Sequence, residues 1–229
     1  MTPMALVVSL SLLAASPGGL VSAAVGAYNG NLHMHRVFGT CAAYFPTRAD
    51  VFFFADYFWQ VDNLPYSLVA TRVLRDAPES TRQAAAASRE KQSREFDTAF
   101  ARLDDAGRAR ACQSFVSAKE SFKTIAPDEA SVLAPLFESS SEMRIEKRNA
   151  DFTLGCMKRL YQIGSRVFGK AKTVCDCQTK AITDHASDAE LDQWVDDLAH
   201  NPGNEVETLS RPWMQQAIRA LSACMAEKP

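Results

Sequence analysis

Neither Gly-x-Ser-x-Gly nor His-Glu-x-x-His occurs in the 229 residues. That removes the nucleophile elbow of serine hydrolases and the zinc-protease helix from consideration. Strand signals are scarce. The one Asn-Gly pair, Asn29-Gly30, does not join two alternating apolar runs, so no hairpin is expected. A basic stripe is missing as well. The 25 Lys and Arg residues are interspersed with 27 Asp and Glu, for a formal charge of −2, which leaves no electrostatic footprint for nucleic acid. No apolar run is long enough to cross a bilayer: Ala5 to Ala15 is too short and Pro17-Gly18-Gly19 follows it. No cofactor motif stands, so none is expected. The closest approach to a phosphate loop, Gly164 to Thr173, places Ala171 where magnesium needs a hydroxyl and has no preceding strand.

The chain also has no charged side chain before His33. The apolar run followed by Val21-Ser22-Ala23 predicts a signal peptide over 1–23, cleaved after Ala23. The absence of a Lys or Arg at its start leaves an uncleaved anchor as the alternative. Export, to the periplasm or the extracellular space, then governs how the six cysteines are read. Cys41, Cys112, Cys156, Cys175, Cys177 and Cys224 are an even set in an oxidising compartment and predict disulfides.

What is abundant is helix punctuation. Ser80/Gln83, Ser139/Glu142 and Ser187/Glu190 are capping-box pairs, Pro127 and Pro212 suit a first helical turn, and Gly164 suits a helix end. These features predict an all-α, disulfide-stabilised helical bundle. Cys41 and Cys112 lie 71 residues apart and Cys156 and Cys224 lie 68 apart, each second member near the end of an Ala/Arg-rich phrase. The repeat suggests two similar helical halves packed together, an N-terminal one over 24–125 and a C-terminal one over 126–229.

The densest chemical signal is Cys175-Asp176-Cys177. With Thr173 as a helix cap, the two cysteines point about 200° apart at 100° per residue. They are then set to bond two different neighbours, Cys156 and Cys224 in an order left open, while Cys41 bonds Cys112. An exposed dithiol in the same stretch would instead make a thiol oxidoreductase, although Asp176 opposes a thiolate. His33 and His35 form a second candidate, a copper or zinc site if an extended chain brings both to one ion, which would make the protein a periplasmic metal handler, whereas a mobile N-terminus makes them a solvated tail. Asp184-His185 is the one adjacent Asp-His pair, and adjacency in sequence does not establish contact.

Six aromatics crowd residues 52–59. They cannot all face inward from one helix, so that helix is either central and covered on several sides or lines a groove for a partner. No catalytic constellation is visible. The leading expectation is an exported protein that binds a protein partner, of inhibitor or immunity type, through Phe54, Tyr57, Phe58, Trp59, Asn63 and Tyr66.

Overall fold

The computed structural model describes residues 19–117, 121–162, 164, 167–200 and 211–226. The described residues form helices and connections with no strand, an all-α fold carrying disulfides. No helix among them is long and apolar enough to cross a membrane. The chain divides into two compact units, residues 1–144 and 145–229.

In the first unit the helices are α1 (Leu20–Tyr44), α2 (Ala49–Asp62), α3 (Leu64–Arg75), α4 (Glu79–Ala101), α5 (Asp105–Ser117), the single turn α6 (Phe122–Ile125) and α7 (Pro127–Glu138). A short 3₁₀ turn, Pro46–Arg48, links α1 to α2. The central element is α1, which packs against α2, α3, α4, α5 and α7. Its first half places Ala23, Ala24 and Ala27 against Val69, Ala70 and Leu74 of α3 and Ala130, Leu133 and Phe137 of α7. Three alanines let the neighbouring backbones come close, and the larger partners fill the space. The second half places Val37, Cys41 and Ala42 in a separate core with Phe52, Phe96, Phe100 and Cys112. The Cys41–Cys112 disulfide ties α1 to α5 inside that core, and both cysteines are essentially unexposed.

Ala23 and Ala24, the residues flanking the expected cleavage point, lie within the first turns of α1 and are buried. Residues 1–18 of the expected signal peptide lie outside the described residues. The small residues that resemble a peptidase site are the same ones that close helix packing requires. The central helix is α1 and not the aromatic α2. α7 packs on α1 and α3, and residues 126–144 lie in the first compact unit. Leu133, wholly buried between α1 and α3, is the reason.

The helix starts follow the physics of capping with shifts of a residue or two. At Ser187 the capping box forms in full: the Ser187 N–H donates to Glu190 Oε2 at 2.8 Å and the Glu190 N–H to Ser187 Oγ at 3.3 Å. The Ser187 hydroxyl, which donates to Glu190 Oε2 at 2.6 Å, and then the Ser187 N–H hold the Glu190 carboxyl below its usual range. At Ser80 the box does not form; the helix opens at Glu79 after Pro78, and Gln83 donates to Glu79. Ser140 and not Ser139 supplies the hydroxyl that accepts the Met143 N–H.

The second unit carries most of α8 (Ser141–Gln162), then α9 (Phe168–Thr183), α10 (Asp188–His200) and α11 (Pro212–Ala226). Gly164, after α8, has φ +103°, a conformation that favours glycine. Ala181, Ile182, Leu191, Trp213, Met214 and Ala217 form the core, with Trp194 packed between Phe152 and Trp213 at ring distances of 5.2 and 5.6 Å. Arg148, its side chain largely screened from solvent, bridges α8 to α10 by donating to Asp188 and Asp192. The Ser210 cap and the residues 201–210 lie outside the described residues.

Candidate functional site

Cys175 is bonded to Cys156, 19 residues earlier, across the connection from α8 to α9. Both cysteines of "CDC" sit inside α9, which starts at Phe168 and not at a Thr173 cap, so they point in different directions. Cys177 is disulfide-bonded too, through a bond whose other side chain lies outside the described residues. The Cys224 side chain is among those outside them. With Cys175 unexposed and both sulfurs already bonded, "CDC" presents no dithiol, and the oxidoreductase reading fails on geometry. The 19-residue bridge in the second unit also has no counterpart to the 71-residue one in the first, so the cysteine spacing that suggested a duplication does not reflect matching bonds.

The histidine pair is separated by the helix that holds it. His33 and His35 are two residues apart on α1, about 200° around its axis. His33 points into the interior, its ring edge-on to Phe96 of α4 at 5.6 Å, with Nδ1 buried and unpartnered. Burial, and then Arg36, push its pKa down, against a smaller opposing pull from Asp97. His35 points the other way, to α2. The extended chain from which both could meet one ion is replaced by a helix, and no group of three His, Cys, Asp or Glu suited to a metal exists among the described residues. The metal-handling expectation is therefore withdrawn.

What His35 does instead was hidden from the sequence. Its Nδ1 lies 2.6 Å from Asp56 Oδ2. A carboxylate only accepts, so Nδ1 donates in this bond. Gln60 donates from Nε2 to Asp56 Oδ1 at 3.3 Å, and Asn31 donates from Nδ2 to Gln60 Oε1 at 2.7 Å. The four residues form a ladder: Asn31 and His35 are four apart on α1, Asp56 and Gln60 four apart on α2, and each pair presents one helical face. The Asp56 side chain is 15% exposed and that of His35 is 65% exposed. Burial pushes the Asp56 carboxyl up, while His35 and Gln60 pull it back down. Among the described residues no hydroxyl or thiol is hydrogen-bonded to His35, and its imidazole is oriented by Asp56. The adjacent Asp184 and His185 do not pair. Asp184 accepts from Lys180 at 2.6 Å.

The aromatic stretch divides in two. Phe54 is 1% exposed and Asn63 is 3% exposed, which takes both out of any surface contact. Asn63 is a brace: its Oδ1 accepts the Phe122 N–H at 2.6 Å and its Nδ2 donates to the Trp59 carbonyl at 2.9 Å, joining the end of α2 to α6. Tyr66 is half-buried against Phe122, 5.3 Å between rings. Tyr57, Phe58 and Trp59 are half-buried and Phe53 is the exposed aromatic of the group. Of the expected contact residues, only Tyr57, Phe58 and Trp59 remain on α2 beside the His35 ladder. Two i,i+4 polar pairs were the signal for that ladder, readable once residues 20–44 are taken as one helix.

Comparison with protein families, with curated proteins and with solved structures gives no significant match for this chain.

Proposed function

We propose that the protein is an exported, disulfide-braced binding protein that engages a protein partner through the α1–α2 face around His35, in the manner of an inhibitor or immunity protein. The observation that supports it is the ladder itself. An exposed imidazole, held from behind by Asp56, Gln60 and Asn31, is a pre-oriented hydrogen-bonding group whose ordering cost is met before any partner arrives. Two disulfides, with Cys177 bonded as well, support export, since such bonds persist in oxidising compartments. Half-buried Tyr57 and Trp59 on the same helix add the aromatic character that contact surfaces favour.

A photocrosslinking side chain in place of Phe53, in the intact protein within its own cells, tests this. A discrete adduct that is lost when His35→Ala is added supports the reading. No adduct, or an adduct indifferent to His35, rejects it. One observation favours a second reading: an imidazole oriented by a carboxylate is also the base half of an acid–base pair. In that case turnover of a small ester or amide, lost in Asp56→Asn, would be found with no partner present.

A further inference from the structure

We infer that a small cavity between α1, α4 and α7 binds a monovalent cation. Ser22, Val25, Gly26 and Asn29 of α1, Ser88 and Gln92 of α4 and Glu129 of α7 line it, and five of these seven carry a side-chain oxygen. Asn29 is 3% exposed, and its amide is oriented by the bond that Nδ2 donates to the Ala85 carbonyl at 3.1 Å. That bond leaves Oδ1 buried without a partner, and Gln92 Oε1 is buried and unpartnered as well. Glu129 forms no ion pair among the described residues. A buried acceptor with no donor is costly to leave unsatisfied, so two around one cavity call for something that donates or is positively charged. The interior space, about 30 Å³, admits a water-sized species and nothing much larger.

The donor set decides the charge of the occupant. Amide carbonyls, hydroxyls and a carboxylate are hard oxygen ligands, unsuited to copper or zinc. A single carboxylate among neutral oxygens offers too little negative charge to offset dehydration of a divalent ion. Carbonyl-type oxygens do replace the hydration shell of potassium. A potassium or an ammonium ion fits on both counts: the first is coordinated by the oxygens, the second also donates to them. The site lies on the face of α1 that meets α4, apart from the His35 ladder, and does not depend on it.

Thermal unfolding of the full-length protein at fixed ionic strength, in potassium, ammonium, calcium or tetramethylammonium chloride, tests the proposal. Potassium or ammonium at a tenfold excess over its dissociation constant is expected to raise Tm by roughly 3–6 °C relative to tetramethylammonium, which is too large to enter. The gain should fall in Glu129→Gln, a near-isosteric change at a half-buried position, and in Gln92→Met. Equal Tm in potassium, ammonium and tetramethylammonium would mean that water fills the cavity and would overturn the site. A gain undiminished in both variants, or a larger gain from calcium than from either monovalent ion, would overturn it too.

Discussion

His33 and His35 share a tripeptide and nothing else. His35 is exposed and held by a carboxylate, whereas His33 is buried edge-on to Phe96, with burial and then Arg36 lowering its pKa below 6.5. The lowered pKa has a definite sign. Between the folded and unfolded values the unfolded chain binds more protons, so stability is present above 6.5 and is lost as pH falls below it. Urea unfolding from pH 7 down to about pH 5 should show this loss, and His33→Met, which keeps an apolar contact with Phe96, should reduce it. An equal loss in wild type and variant would place the acid sensitivity elsewhere.

At the scale of elements, the first unit is organised by one long helix. By sequence alone residues 20–23 pass for the end of a leader and the rest of 20–44 carries no helix signal, because alanines and glycines there give little amphipathic contrast. Their smallness is what lets α3 and α7 approach α1 closely. The other half of α1 depends on a covalent tie. Cys41–Cys112 closes a 71-residue separation between α1 and α5, a large loop whose closure removes much freedom from the unfolded chain. Replacing both cysteines by alanine should cost about 2–4 kcal/mol in guanidinium unfolding, with helicity retained at low denaturant. Helix ends were more legible than helix centres: Pro127 and the Ser187/Glu190 box are local hydrogen-bond geometry, and local geometry is what a sequence displays.

For the whole molecule, bonding accounts for five of the six cysteines. Cys41–Cys112 and Cys156–Cys175 leave Cys177 bonded and Cys224 as the remaining cysteine in the sequence. Non-reducing peptide mapping of protein purified without reductant should therefore find a Cys177–Cys224 peptide and no free thiol. A Cys175–Cys177 bond, or a free Cys177, would refute this arrangement and reopen thiol chemistry. The chain forms two compact units divided at 144/145, and the Cys41–Cys112 and Cys156–Cys175 disulfides within them span 71 and 19 residues.

The all-helical class, the Ser187/Glu190 cap and the opposed directions of Cys175 and Cys177 follow from spacing alone, because each is set by residues within a turn or two of one another. Choosing Cys156 for Cys175 required the packing of α8 on α9, which no spacing displays. The His35 ladder is of the same kind. Asn31 and His35 come to Asp56 and Gln60 only because α1 and α2 lie side by side, with partners 21 and 29 residues apart in the chain. The same long-range packing turned Asn63 from a surface residue into a brace for α6, and enclosed Asn29 and Gln92 around one small cavity.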